Sequence, residues 1–224
     1  MLEPRDPSHG TPTPIAERYV ALGDSDRVRY ERFRDRLRGK LGITIEGDVL
    51  DIGCMDGRNT AGYAADARSV VGLDIVEHPA WEALRRDNLR YVTGDAQHLP
   101  FPDASFDIVI AMAMLHHAAS PTRVLREMVR VRRPGGKLVI VEPNRLNPLS
   151  WVHLTLFGDH DHFRTKDFIK LVDRVVPIRE FRQFELHLWP VDSRVVRKGL
   201  ERIEDHLDAQ PLWKPFVLFN VAIA

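Results

Sequence analysis

The stretch VLDIGCMDGRNT, residues 49 to 60, decides the fold. Val49, Leu50 and Ile52 read as a buried strand, Gly53 and Gly57 as a turn where backbone approaches a ligand closely, and Arg58 as the start of a helix. Strand, glycine turn and helix in that order make a nucleotide-binding turn. The spacing is not that of the dinucleotide fingerprint G-x-G-x-x-G, because Met55 stands where its second glycine belongs, so a nicotinamide or flavin ligand loses support. Asp51, an acid at the strand's end, suits a ligand carrying a positive group better than a pyrophosphate.

Downstream of this turn, short β-type runs alternate with helix-type segments. SVVGLDIV (69–76), LRYVTGDA (89–96), FDIVIAMAML (106–115) and KLVIVEP (137–143) read as strands. Candidate helices lie near 58–66, 79–87 and 120–132, the last capped by Ser120, with Pro121 in its first turn and PGG closing it. The alternation implies an α/β fold with a doubly wound parallel sheet and helices on both faces. Further on come a helix near 165–175, a strand within IREFRQFELHL, a helix near 193–208 and a final strand in FVLFNVAIA.

Upstream, residues 1–14 hold four prolines and little that is apolar, and read as a flexible tail. Residues 15–224 read as a single domain opened by an N-terminal helical cap over 15–45, with Val28, Phe33, Leu37 and Leu41 as its buried stripe. The 32 basic and 32 acidic residues cancel, unlike the basic footprint of a protein that holds phosphate backbones, so nucleic acid is not expected as a partner. Cys54 is the single cysteine, which excludes an internal disulfide and points to a reducing, cytoplasmic setting. The longest apolar runs, IVIAMAML and FVLF, fall far short of the roughly 20 residues needed to cross a bilayer, so membrane insertion is not expected either.

In a doubly wound sheet, ligands lie beyond the carboxyl ends of the strands. Those ends carry Asp51, Gly53 and Gly57; then Asp74; then Asp95 and Ala96; then His116 and His117; then Glu142, Pro143 and Asn144. Asp74 follows Gly57 by 17 residues, close to the interval of about 20 at which an acid meets ribose hydroxyls in such folds.

VLDIGCMDG, VVGLDIV, GDAQHLPFPDASFDIVIAMAMLHH and EMVRVRRPGGKLVIVEPN, in this order, resemble the successive motifs of the class I S-adenosylmethionine-dependent methyltransferases, in the small-molecule branch related to the ubiquinone and menaquinone methyltransferases. The resemblance covers about residues 45 to 145. It implies a Rossmann-like seven-stranded sheet of order 3-2-1-4-5-7-6 with the last strand antiparallel, and transfer of a methyl group from S-adenosylmethionine to an oxygen or nitrogen of a small-molecule acceptor. It also implies that Asp51, Gly53, Cys54, Met55 and Gly57 hold the methionine part of the cofactor, Asp74 and Ile75 the ribose, and Asp95 with Ala96 the adenine. Two departures stand out: Met55 replaces the middle glycine of G-x-G-x-G, and Ile75 and Val76 replace polar residues. The first motivates an alternative, a regulatory or assembly protein that binds the cofactor without methyl transfer.

His116 and His117 face the place of the acceptor. Imidazole, with a pKa of about 6.5, suits proton removal from a hydroxyl or ammonium near neutral pH. His117, further past the strand, is the better candidate, and packing or loop bracing accounts for the pair equally well. The family places an acceptor-covering segment after strand five, here 146–165, so Trp151, His160 and His162, with Tyr19 from the helical cap, are candidates for acceptor binding. HDH at 160–162 has the look of a metal ligand set, but adjacent residues in one short loop rarely converge on an ion, and no metal is expected. The arginines of RVLREMVRVRR read as a solvated helix face. Trp189, Trp213 and Phe216 read as core or subunit contacts, compatible with a homodimer.

Overall fold

The computed structural model describes residues 39, 42–147, 162–184, 199, 202, 203, 205–207 and 210–224. The expected tail, most of the helical cap and of the acceptor-covering segment, and most of the helix near 193–208 lie outside those residues.

Seven strands, β1 (Asp48–Ile52), β2 (Ser69–Asp74), β3 (Leu89–Thr93), β4 (Phe106–Met112), β5 (Arg132–Pro143), β6 (Glu180–Phe184) and β7 (Phe219–Ile223), form one sheet. Their order is β3-β2-β1-β4-β5-β7-β6, as the motif order implies. Neighbours from β3 through β5 pair in parallel, and β7 runs antiparallel to both β5 and β6. The order reverses at β1, which lies between β2 and β4; this is where an open α/β sheet leaves a ligand crevice.

Both faces of the sheet are buried, with side chains alternating between them. Val49, Val70, Ile108, Val139 and Val221 pack with Ala61 and Tyr63 of helix α1 (Arg58–Tyr63) and Trp81 of α2 (Ala80–Leu84). Leu50, Val71, Val109, Leu138 and Ala222 pack on the other face with helices α3 (Pro121–Val131) and α4 (Thr165–Asp173). Val124, Leu125, Met128 and Val131 are buried along α3, the spacing of one helix face, and Phe168 and Val172 do the same on α4.

Several boundaries differ from the sequence reading. Ser120 stands at the cap of α3 and Pro121 at its first position, but the serine hydroxyl makes no capping bond; its carbonyl accepts from the Arg123 and Val124 amides. The PGG run lies within β5, not at the end of the helix. Arg132 pairs with Phe106 and Lys137 with Ile108, so the extra residues form an irregularity in the β4–β5 ladder. The segment before β7 coils into a 3-10 turn over Pro211–Phe216, so the last strand starts at Phe219.

The arginines of α3 are not simply a solvated face. Arg123 and Arg126 are exposed. Arg130 instead donates to the Leu99 and Phe101 carbonyls at 3.0 and 2.8 Å and to Glu127 and Asp103, bracing the loop after β3. Arg133, just past the helix, bonds both Asp48 and Asp107 at 2.8 Å, and Arg68 joins the same two acids at the amino ends of β1 and β4.

The Arg68 guanidinium, helped by Ser69 and Arg133, holds the Asp48 carboxyl well below the usual carboxylate range. For Asp107, partial burial acts upward, but the Asp48 amide and Arg133 outweigh it. Acids lowered on folding contribute stability in full above their unfolded pKa of about 3.9, and that contribution is lost as pH falls below it. Arg68→Ala is therefore expected to lower the urea midpoint at pH 6 to 8, where that contribution is present in full, and to move the midpoint of acid unfolding to higher pH, both read by circular dichroism.

Candidate functional site

The turn after β1 has nearly every backbone group accounted for. Gly53 and Cys54 donate to the Leu73 carbonyl at 2.8 and 3.1 Å, which ties the turn to the end of β2. Gly57 donates to the Cys54 carbonyl, and Arg58 to the Asp56 carboxylate. Gly53 and Gly57 have φ of 73° and 78°, the left-handed region open to glycine. A Cβ at Gly53 would lie 2.7 Å from Met114 Cβ, and one at Gly57 would meet the Tyr91 ring. What these glycines make room for first is the protein's own packing, rather than the ligand approach expected from sequence.

Met55 sits between them with φ 48°, a conformation that costs a residue with a side chain roughly 1–2 kcal/mol. Its amide donates to Asp74 Oδ2 at 2.8 Å, and its carbonyl accepts from Trp81 Nε1 at 2.8 Å. The side chain is 45% exposed at the rim. Cys54 is buried beside Gly72, and burial pushes its thiol far up, away from reactivity at neutral pH.

Three acids stand on this rim. Asp51 is buried and accepts from Thr60 Oγ1 at 2.6 Å. Burial pushes its pKa up to about 7; the Thr60 bond opposes the rise and the nearby Asp74 carboxylate adds to it. Asp74 accepts from the Met55 amide on one oxygen and from the Val76 amide, at 3.3 Å, on the other. Ile75 beside it is 70% exposed. Asp95 accepts from the Gln97 amide at 2.8 Å and contacts His98 Nδ1 at 3.1 Å; these bonds hold it below the usual range although burial alone would raise it. Ala96 packs, partly buried, against the core. A carboxylate offers about four acceptor positions, so each acid retains capacity for a ligand's donors.

Among the described residues, neither Asp51 nor Asp74 is paired with a cationic side chain. A buried acid whose proton affinity is raised in part by a neighbouring carboxylate is suited to a ligand that brings its own positive charge. S-adenosylmethionine, with a sulfonium and an ammonium group, fits this donor set.

Across the switch point, β4 ends in a tight turn. Ala113 has φ 51° and donates to the Val141 carbonyl, and a 3-10 turn follows over Leu115–His117. Glu142, fully buried at the end of β5, organises this turn. Its Oε1 accepts from the Met114 and Leu115 amides at 3.0 and 2.7 Å, and its Oε2 lies 2.6 Å from His116 Nδ1. The His116 side chain is only 4% exposed, whereas His117 is exposed. With Nδ1–H donating to the carboxylate, His116 Nε2 is left with its lone pair.

His162 joins this group. An isolated parallel bridge between Asn144 and Phe163, with the Arg145 amide donating to the Phe163 carbonyl, sets Phe163 beside the end of β5. The His162 ring meets His116 edge-on at 4.8 Å, and His117 lies 4.0 Å from His116. Tyr19, Trp151 and His160 lie outside the described residues. Sequence reading placed Glu142 at a strand end but gave it no partner, and it assigned nothing to Thr60, Trp81 or Tyr91. No local signal marks these residues, because their partners lie 9 to 34 positions away in the chain. Among the described residues, no three His, Cys, Asp or Glu side chains are grouped so as to hold a metal ion.

Residues 50–140 match the methyltransferase domain family. The chain is 38% identical over 117 residues to the 27-O-demethylrifamycin SV methyltransferase of Amycolatopsis mediterranei, covering 49% of this chain and 43% of that protein. It is 36% identical over 130 residues to the demethylmenaquinone methyltransferase of Beutenbergia cavernae, covering 57% of this chain and 54% of that one. The chain thus spans about half the length of these curated relatives. Among solved structures, an S-adenosylmethionine-dependent methyltransferase from Mesorhizobium loti superposes with a TM-score of 0.62 at 19% identity, covering 84% of this chain and 95% of that one, a likeness of fold.

Removing the Glu142 carboxylate leaves two buried amides and an imidazole N–H without an acceptor. Glu142→Ala is expected to cost about 3 kcal/mol and Glu142→Gln about 1 kcal/mol in urea unfolding, because the glutamine carbonyl can still serve the two amides. The glutamine amino group would then face Nδ1, and nitrogen NMR should show the His116 proton moving from Nδ1 to Nε2.

Proposed function

We propose that this chain, whose residues 50–140 match the methyltransferase domain family, transfers the sulfonium methyl group of S-adenosylmethionine to an oxygen or nitrogen of a small-molecule acceptor. The observation that carries the reading is the pair Asp51 and Asp74, two uncompensated acids at the ends of adjacent strands beside a strapped turn.

When bound, the cofactor supplies an electrophilic methyl carbon on a positively charged sulfur. Asp51 and the Gly53–Gly57 turn would hold its methionine part, Asp74 its ribose hydroxyls, and Asp95 with Ala96 its adenine. The chain's contribution to the displacement is alignment of the nucleophile with that carbon, an effect that can supply several kcal/mol of barrier reduction. His116 Nε2 takes the proton that leaves the nucleophile, and Glu142 holds the ring in the required tautomer. Under this proposal the role passes from His117, the preferred residue on sequence grounds, to its buried neighbour, because His116 is the one held by Glu142. His162, beside His116, is on the acceptor side; Tyr19, Trp151 and His160, the other residues expected there, lie outside the described residues. Binding without turnover had Met55 as its motive. The exposed methionine side chain and the role of its peptide in holding the turn take that motive away.

Calorimetric titration with S-adenosylmethionine and S-adenosylhomocysteine tests the cofactor site. Binding in the micromolar range, weakened at least tenfold by Asp74→Asn, is expected; no binding to either ligand sinks the proposal. Affinity for S-adenosylmethionine should also rise with pH through about 7, since Asp51 is neutral below that value and charged above it. A flat profile from pH 5.5 to 8.5 removes Asp51 from the site.

Once an acceptor is in hand, Glu142→Gln and His116→Ala should each lower kcat by about a hundredfold or more, the range of general-base catalysis. His117→Ala should have a smaller effect, and the reverse order reinstates His117.

A further inference from the structure

One of the three left-handed residues in the cofactor turn, Met55, is not a glycine, and the structure shows what holds it there. Trp81 on α2 and Tyr91 on β3 stack face to face, ring centroids 5.1 Å apart and planes 12° apart. Trp81 Nε1 donates to the Met55 carbonyl at 2.8 Å, and the Tyr91 hydroxyl donates to the Gly57 carbonyl at 2.8 Å. One buried aromatic stack thus grips the turn at two carbonyls two residues apart. The fit is close, since a Cβ at Gly57 or at Gly72 would lie within 2.7 Å of the Tyr91 ring. On the other side of the same residue, in the preceding peptide group, the Met55 amide is held by Asp74.

We infer that Trp81 is a positioning residue for the cofactor, a strap that fixes the Met55 peptide in the left-handed conformation a glycine adopts unaided, and so keeps the Asp74 carboxylate aimed at its ligand. The inference rests on the proposed cofactor site. Its physical basis is that glycine occupies positive φ freely whereas methionine does not, so the methionine-bearing turn depends on tertiary bonds for its shape. The indole N–H supplies the bond on the carbonyl side and Asp74 the bond on the amide side. If the first is lost, Met55 relaxes toward ordinary φ, its amide swings away from Asp74, and the carboxylate loses the contact that orients it.

Trp81→Phe retains the ring on Tyr91 and removes only the N–H donor. It should raise the Kd for S-adenosylhomocysteine about fivefold, the size of one hydrogen bond, and speed hydrogen exchange at the residue 55 amide of the ligand-free protein by a similar factor. On a Met55→Gly background the same Trp81→Phe change should raise Kd less than twofold, because the turn no longer needs the strap.

An equal rise on both backgrounds, or unchanged Kd and exchange in Trp81→Phe, overturns the inference. Should Trp81→Phe not fold, Tyr91→Phe removes the second bond while keeping the stack and must show the same pattern of weaker binding and faster exchange. Failure of the unmutated protein to bind either ligand would instead sink the proposed cofactor site, and the exchange measurement would still decide whether the strap holds the turn.

Discussion

The parallel pairing of β1 with β2 on one side and β4 on the other is the constraint from which the rest follows. It places the carboxyl ends of three strands side by side where the winding reverses, so the segments leaving them must share one crevice. The turn after β1 fastens to the Leu73 carbonyl near the end of β2, and Met114 after β4 packs where a side chain at Gly53 would have been. Asp74 is consequently near enough to add to the rise in the proton affinity of Asp51, and a cationic ligand relieves that repulsion.

The site divides into two halves held by different means. The cofactor half is mostly backbone, shaped by an aromatic stack beneath it and by one carboxylate that serves both the turn and, in the proposed function, the ligand. On the acceptor half the organiser is a single buried acid, Glu142, which satisfies two amides and orients one imidazole. Burying a carboxylate is costly unless its oxygens are fully bonded, and here three donors converge on it. That satisfaction at once stabilises the turn after β4 and fixes which nitrogen of His116 can accept a proton.

Opposite the crevice, at the amino ends of β1 and β4, Asp48, Asp107, Arg68 and Arg133 tie the far edge of the sheet together. Arg130 does comparable work for the loop after β3, on which Asp95 and Ala96 sit. Charged residues that look like a solvent face along α3 thus include two that brace the framework of the site, and only the fold distinguishes them from Arg123 and Arg126.

What the amino-acid sequence determined alone is whatever depends on local pattern: the strand-turn-helix at residues 49–60, the alternation of apolar runs that yields a doubly wound sheet, and the acids at successive strand ends. These follow from side-chain periodicity and turn chemistry within a few residues of one another. Tertiary structure decided which groups meet across distance. It set His116 against Glu142 and left His117 exposed. It gave Gly53 and Gly57 their reason in Met114 and Tyr91, and it let a methionine stand where a glycine is usual by setting an indole N–H against its carbonyl. Such contacts join residues 26 and more positions apart, and no local pattern encodes them; only the packing of the sheet against its helices brings them within bonding reach.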